Sequence, residues 1–282
     1  MKLLKLTKAG IAAIAIGAAV LASPIASAED VNMWDGQWHY GLVVYGWFPA
    51  MTTDLNFTLR NGATVAPSTT VKPSSYLKDL QFGAMGAFGA RKGDWNLFTD
   101  VIYADISSLS SRVTTLHTPD GNVSPPLDIN VNVGLKELIW TVGAGYTVAR
   151  SNMGNLDIVG GARYAGLESS LGVNVFGPDG IFGRSVDTSD KMNIWTGIIG
   201  VKGAVRLSDD GKWYVPYEAD FGAGSSNHSS VTSGNAILGL GYKFGWGDIV
   251  GAWRYLSYNM GSNDPIQKLI MSGPAFGASF RW

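Results

Sequence analysis

The stretch GPAFGASFRW, residues 273–282, alternates between two kinds of side chain up to its last residue. In an extended strand, Phe280 and Trp282 share one face, and Ser279 and Arg281 lie on the other. A soluble domain gains nothing from bulky apolar groups at a fraying terminus, but a strand between lipid and an aqueous lumen does. The stretch therefore predicts a strand that faces a membrane.

The same alternation recurs inside the chain. In residues 213–223 an apolar face opposes a face that carries Glu218 and Asp220. Comparable period-two patterns occupy residues 138–148, 156–164 and 236–244. A soluble β-sandwich alternates too, but its strand exteriors are usually dense in Lys, Glu and Thr. Here the polar faces are rich in glycine with scattered charges, which is typical of the wall of a wet lumen.

The composition favours a closed barrel. The chain has 37 glycines among 282 residues, and 15% of its residues are charged, whereas about 25% is usual for a soluble protein. After the N-terminal segment, no apolar run reaches the ~18 residues that a membrane helix needs. Lipid admits only helices and closed barrels, so a barrel remains. The chain has no cysteine and therefore no disulfide scaffold.

Residues 1–28 have the pattern of a secretory signal. Three lysines precede an apolar run at 11–21, and Ala-Ser-Ala at 26–28 supplies small residues for cleavage. An uncleaved anchor helix is the alternative. Cleavage would leave one domain, residues 29–282, because no linker or charge block divides it. That domain has 18 basic and 22 acidic residues, so its composition does not favour nucleic acid as a partner.

Ten strands are predicted for an all-β, antiparallel, up-and-down transmembrane barrel. Their expected bounds are 37–59, 80–91, 94–110, 127–149, 155–174, 190–208, 212–226, 231–245, 248–260 and 268–282. An even number places both termini at one end, as bacterial barrels require. We therefore interpret Pro49 as a kink within the first strand. Twelve strands are the alternative if 60–79 contains another, although 76–80 could also form a helical turn.

Tight turns alternate with longer loops. The segments 91–94, 150–155, 208–212 and 245–248 predict periplasmic turns, and aromatic residues near them predict an interfacial girdle. The segments 60–79, 111–127, 176–190, 224–233 and 260–267 predict extracellular loops. Several strands exceed the ~9–11 residues needed to cross a bilayer, so we expect the barrel to project on the long-loop side.

The chain resembles the β-barrel proteins of the outer membrane of Gram-negative bacteria. The resemblance rests on the signal ending at 26–28 and on the terminal strand, where Gly277, Phe280 and Trp282 match the class's C-terminal insertion signal. Ala275 departs from the polar residue that is usual there. The resemblance implies outer-membrane lipid and, during insertion, the barrel-assembly machinery as partners. It implies location and fold rather than activity.

The lumen is the predicted functional site. Its candidate lining residues are Asp100, Glu137, Arg163, Lys202, Arg206, Glu218, Asp220 and Arg254, with His39, Asp157, Lys243 and Arg281 as further inward groups. These charges either pair with one another and fill the lumen, which indicates a structural or envelope role, or line a narrow channel for ions or small solutes. In the second case Glu218 and Asp220 face Arg163, Lys202 and Arg206.

A hydrolase active at the barrel rim is a further alternative. His117 and His228 lie in predicted loops, and His228 precedes two serines, but adjacent residues seldom present nucleophile and base to each other. Pro-Asp-Gly at 178–180 is a turn signal first, and no calcium-loop spacing occurs. We therefore predict no catalytic residue, metal or cofactor. The oligomeric state and the role of loops 111–127 and 176–190 stay open.

Overall fold

The computed structural model describes residues 33–55, 57–58, 64–65, 68–77, 80–112, 116–118, 121–123, 128–176, 184–227, 229–261 and 266–282. The predicted signal, residues 1–28, lies outside the described residues. Residues 177–183 of the predicted loop 176–190 and His228 lie outside them as well. Within the described ranges, no helix is both long and apolar enough to cross a membrane.

Ten antiparallel strands close into one barrel, as predicted. In chain order they are β1 (Trp38–Trp47), β2 (Leu80–Lys92), β3 (Trp95–Arg112), β4 (Asp128–Ser151), β5 (Gly154–Phe176), β6 (Arg184–Arg206), β7 (Trp213–Ser225), β8 (Ser230–Phe244), β9 (Gly247–Met260) and β10 (Ile266–Arg281). Each strand pairs with its neighbours in this order, and β1 pairs with β10 to close the ring. Closure leaves no open edge within the ring of ten strands, which is the condition for a sheet in lipid.

The first predicted strand is broken at Pro49 but keeps its direction. β1 ends at Trp47, and the chain resumes as a strand at Ala50–Leu55, with both parts paired to β10. The Phe48 N–H still donates to the Pro274 carbonyl at 2.9 Å. Proline lacks a ladder donor, so a short break is its expected effect.

Short additional elements extend the sheet at the long-loop end. Ser68–Val71 pairs with Ala50–Leu55 and continues the sheet outside the ring, so the barrel itself has ten strands. The helix Pro73–Tyr76 begins three residues before the predicted helical turn. Two small hairpins complete the described elements: Phe57–Thr58 with Thr64–Val65, and Leu116–Thr118 with Gly121–Val123.

The four short turns lie at the end that holds both barrel termini. Gly93 and Gly211 there have positive φ angles of 57° and 67°, a conformation that glycine adopts without steric cost. At the opposite end, β4, β5 and β6 reach 24, 23 and 23 residues and project far beyond a bilayer. The predicted loop 224–233 was too long: β7 ends at Ser225 and β8 begins at Ser230, so the connection is short.

The outside of the barrel is apolar between two belts of aromatic side chains. The six aromatics expected near the short turns are exposed there: Phe88, Trp95, Tyr146, Trp213, Phe244 and Trp246. Trp140, Tyr164 and Trp195 are neighbours in register nearer the long-loop end and form part of a second belt. On β3, Trp95 lies next to a short turn and Tyr103 lies eight residues further along the strand. For a tilted strand, eight residues correspond to about 20 Å of height along the barrel. This band is close to the thickness of a bilayer's hydrocarbon core.

Candidate functional site in the barrel lumen

A belt of charged side chains crosses the lumen near mid-height. We call Asp100, Arg163, Glu218, Asp220 and Arg254 the charge belt. Arg163 on β5 donates from Nη2 to Asp220 Oδ2 on β7 at 2.7 Å, and from Nε to a threonine hydroxyl on β4 at 3.1 Å. Both members of this ion pair are buried, with side-chain exposures of 0% and 1%. The pair therefore occupies space that a water-filled pore would need.

Arg254 joins opposite walls of the barrel. Its Nη2 lies 2.8 Å from Asp100 Oδ2 on β3, and its Nη1 donates to the Tyr45 hydroxyl on β1 at 2.8 Å. Its Nε donates to Asn235 Oδ1 at 3.2 Å, and its guanidinium lies 5.2 Å from the centre of the Trp47 ring. All three nitrogens are thus engaged, as the planar fork of arginine allows.

Asn235 connects the two arginine clusters. Its side-chain amide donates to Glu218 Oε1 at 3.0 Å and to Asp220 Oδ2 at 2.9 Å, while its oxygen accepts from Arg254. A single hydrogen-bonded chain therefore runs from Arg163 on β5 to Asp100 on β3. Such connected networks in a low-dielectric interior hold a geometry more firmly than separate pairs do.

An apolar layer covers the charge belt on the long-loop side. It consists of inward side chains that follow the belt along their strands, and all are 3% exposed or less: Trp47, Ile102, Ile139, Ala165, Leu167, Ile194, Leu256, Tyr258 and Met271. From the helix above, Tyr76 inserts into this layer and donates to the Pro49 carbonyl at 2.9 Å. The lumen is therefore filled at two successive levels.

A second polar cluster lies toward the short turns. The Asp157 carboxylate is paired with Arg91 and accepts from Thr147 at 2.6 Å, Asn96 at 3.0 Å and Asn155 at 2.9 Å. Both oxygens accept, from side chains on β2, β3, β4 and β5 itself, so this buried carboxylate is satisfied as buried charges must be.

A cavity of about 430 Å³ lies between this cluster and the charge belt. We call it the basal cavity. Its wall includes Val43, Phe98, Ile237 and Ala252, and its polar lining includes Lys202. The Lys202 ammonium lies 4.1 Å from the centre of the Phe98 ring.

The structure places seven of the eight candidate lumen residues inside the barrel. Glu137 is one of them, but it lies beside the apolar layer, and its Oε1 has no partner within the described residues. Arg206 is the exception: it is the last residue of β6 and is exposed at the short-turn end, beside Gly211. Because Arg206 is the last residue of its strand, its side chain has the parity of an inward residue but lies beyond the end of the lumen.

Sequence reasoning missed the neutral members of these networks. Asn235 bonds to three charged residues of the belt and Tyr45 to two, while Thr141 accepts from Arg163. Their position on inward faces was readable, but their partners were not, because these lie on other strands. Arg91 was likewise assigned to a turn, although it is the last-but-one residue of β2 and pairs with Asp157.

At the short-turn mouth, the segment before β1 folds against the barrel. Trp34 lies against the guanidinium groups of Arg91 and Arg150, at 4.4 and 5.1 Å from its ring centre. Asp35 Oδ1 and His39 Nε2 are 2.8 Å apart. The hydrogen bond from His39 lowers the pKa of the exposed Asp35 carboxyl below its ordinary value of 3.8.

This pair predicts a pH dependence confined to acid. Because folding lowers the pKa of Asp35, the ionised carboxylate contributes to the free energy of unfolding above pH 3.8. This contribution is lost as the pH falls through the pKa of Asp35 in the folded protein. An NMR titration of the Asp35 carboxyl is expected to give a midpoint below 3.8, and His39→Ala is expected to return it toward 3.8. An unchanged midpoint in that variant would contradict the assignment.

The described side chains of the lumen form ion pairs and hydrogen-bonded networks. Across the residues that the structure describes, no group of three or more His, Asp or Glu side chains is placed to hold a metal ion.

The closed ring, the apolar band and the two aromatic belts define the class: the chain is a ten-stranded β-barrel of the outer-membrane type. Among solved structures, it is similar to the outer membrane protease OmpT from Escherichia coli, with a TM-score of 0.51 and 9% identity over 88% of this chain and 97% of that one. This likeness shows the fold alone.

Two further likenesses to solved structures are weaker. The translocator domain of the autotransporter NalP from Neisseria meningitidis matches with a TM-score of 0.36 and 18% identity, over 86% of this chain and 88% of that one. The toluene transporter TbuX from Ralstonia pickettii matches with a TM-score of 0.29 and 10% identity, over 86% and 72%. No known family profile matches the chain. No curated protein is significantly similar to it.

Proposed function

We propose that this barrel is a sealed outer-membrane protein with a structural or envelope role, and that its lumen does not conduct in the resting state. The observation that carries the proposal is the pair of filled levels, the charge belt and the apolar layer. Arg163 and Ile139, one from each level, are both 0% exposed. Water and ions would have to displace both levels to pass.

The energetics support a closed state. Separating Arg254 from Asp100 would leave a buried charge without its partner, at a cost of about 3–5 kcal/mol. Moving the apolar side chains of the next level into water would add about 25 cal/mol for each Å² exposed. Thermal motion alone therefore opens such a lumen rarely.

A narrow channel is the second candidate, and the lining of the basal cavity favours it. Lys202 and Glu218 are paired in register on β6 and β7 and both face this space. A route along these groups would need Arg254 and the apolar layer to move aside. Rim hydrolysis has less support, since the protease OmpT is similar to this chain in fold only.

The terminal strand and the N-terminal segment belong to the same proposal. Residues 1–28 direct export, and Gly277, Phe280 and Trp282 address the barrel-assembly machinery, with outer-membrane lipid around the finished barrel. The exposure of Phe280 and Trp282 on the lipid side of β10 and at its end supports this role.

Conductance tests the proposal directly. Purified protein inserted into planar bilayers is expected to show no unitary conductance steps, because both levels are filled. A known porin measured in the same bilayers controls for detection, and heat-modifiable migration on a gel controls for folding. Reproducible steps from the folded protein would contradict the sealed state and favour the channel.

A further inference from the structure

We propose that the basal cavity binds one small uncharged molecule with an apolar body and a single hydroxyl group, held between Lys202 and Glu218. This inference does not depend on whether the lumen conducts, because the cavity lies below the charge belt. It rests on two polar groups with free bonding capacity in a cavity whose other charged lining residues, Arg91, Asp100, Arg254 and Arg281, are held in ion pairs.

Lys202 supplies the donor. It is paired in register with Asp157 on one side and Glu218 on the other, yet its ammonium makes no direct hydrogen bond within the described part of the chain. Asp157 is already saturated by four donors. The ammonium instead lies over the ring of Phe98 at 4.1 Å and faces the cavity. An ammonium has three protons to donate, so an acceptor on a ligand would be bound strongly.

Glu218 supplies the acceptor. Its Oε1 accepts from Asn235 at 3.0 Å, and no hydrogen bond to its other carboxylate oxygen occurs among the described residues. Because Lys202 and Glu218 are cross-strand partners that both line the cavity, one small group can reach both. A hydroxyl accepts from an ammonium and donates to a carboxylate at the same time.

The charge balance excludes an ionised ligand. The lining cations and the carboxylates that neutralise them are equal in number: Arg91, Lys202, Arg254 and Arg281 against Asp100, Asp157, Glu218 and Asp248. A carboxylate or an amine on the ligand would add an unbalanced charge inside the barrel, which is costly in a low-dielectric site. An alcohol adds none.

The remaining wall matches an apolar body. Val43, Phe98, Pro216, Ile237, Val250 and Ala252 line the cavity between its polar groups. Its volume, about 430 Å³, is within the range of small-molecule sites and exceeds what a two-ring hydrocarbon fills.

Three matched probes test the proposal with the full protein in nanodiscs. They share a naphthalene body: 2-naphthylmethanol, 2-methylnaphthalene and 2-naphthoate. Calorimetric titration is expected to show the alcohol binding at least about tenfold more tightly than the hydrocarbon, the effect of hydrogen bonds to charged groups. The carboxylate is expected to bind more weakly than the alcohol. Equal affinities for alcohol and hydrocarbon, or a tighter carboxylate, would overturn the proposal.

Variants locate the binding. Lys202→Met keeps the length of the side chain and is expected to reduce the alcohol's affinity to that of the hydrocarbon, whereas Lys212→Met, in an exposed turn, is expected to change neither. Ala252→Leu is expected to weaken both probes by narrowing the cavity. Unchanged alcohol affinity in Lys202→Met or Ala252→Leu would place binding elsewhere and overturn the site. If Lys202→Met does not fold, Ala252→Leu and the probe series decide the question.

Discussion

Replacing Arg254 with methionine is expected to lower the free energy of unfolding by about 3–5 kcal/mol, because it leaves a largely buried carboxylate without its cation. The change removes the cation that pairs with Asp100 at 2.8 Å and that donates to Tyr45 and Asn235. What remains is the Asp100 carboxylate, which within the described part of the chain accepts a side-chain hydrogen bond from the Tyr45 hydroxyl alone, at 2.5 Å. Urea unfolding followed by tryptophan fluorescence, with heat-modifiable gel migration as a second probe, measures the loss.

A second substitution separates the charge effect from lost packing. Asp100→Asn keeps an acceptor for the Tyr45 hydroxyl but removes the unbalanced charge. The double variant Arg254→Met with Asp100→Asn is therefore expected to recover much of the stability that Arg254→Met loses. The stability of Arg254→Lys is expected to lie between those of the wild type and Arg254→Met, because a lysine ammonium is a point charge and cannot bond to three partners as the planar guanidinium does.

The matched control is an arginine pair at the barrel rim. Arg150 Nη1 and Asp94 Oδ1 are 3.0 Å apart, but both side chains are well exposed to solvent. Exposed pairs contribute about 0–1 kcal/mol, so Arg150→Met is expected to change stability little. Similar losses for Arg150→Met and Arg254→Met would mean that the charge belt does not hold the barrel together.

Replacing Trp282 with alanine is expected to leave most of the purified barrel's stability intact but to remove most of the folded protein from the outer membrane. Trp282 lies at the seam, where its N–H and carbonyl bond to the backbone of Tyr40 at 3.1 and 2.8 Å. Alanine keeps both bonds and loses only the ring, which is half-exposed and lies 6.2 Å from the Tyr40 ring. The loss in vitro is therefore expected to be about 1 kcal/mol.

The contrast with Trp38 isolates assembly from anchoring. Trp38 is a similarly exposed aromatic at the same end, 6.3 Å from the other side of the Tyr40 ring, but it lies on the first strand. If Trp282 belongs to an insertion signal, Trp38→Ala is expected to leave outer-membrane levels near wild type while Trp282→Ala depletes them. Equal depletion of Trp38→Ala and Trp282→Ala from fractionated outer membranes would assign both rings to interfacial anchoring and would contradict an insertion-signal role for Trp282.

The proposed closure of the lumen and the proposed ligand site depend on different residues of the same barrel. Arg254 closes the space above the basal cavity, whereas Lys202 leaves bonding capacity inside it. Loss of stability in Arg254→Met and loss of alcohol affinity in Lys202→Met are therefore independent outcomes. One can fail while the other holds.

The fold was readable from local pattern because the side-chain period of a strand is two and lipid lies on one side of it. Alternation at 213–223 placed Glu218 and Asp220 inward and Phe221 outward, as in the structure. The kink at Pro49 was readable too, because proline removes one ladder donor wherever it occurs. The strand bounds 212–226 and 231–245 were readable as well, and the observed strands Trp213–Ser225 and Ser230–Phe244 agree with them to within one residue. The predicted loop 224–233 was too long, because polar residues near its ends fit a loop as well as a strand above the membrane.

The sequence by itself determined which residues face the lumen, because alternation is a property of each strand alone. Only the tertiary structure decided which of them bond to one another across it. Arg254 and Asp100 are 154 residues apart in the chain, and the closure of β1 against β10 brings them to 2.8 Å. Pairing across a lumen depends on the register of every strand between, so Arg254 meets its partner only in the closed ring. Asp157, the neighbour of Lys202 in register, is already bonded to Arg91, and within the described residues the Lys202 ammonium makes no direct hydrogen bond.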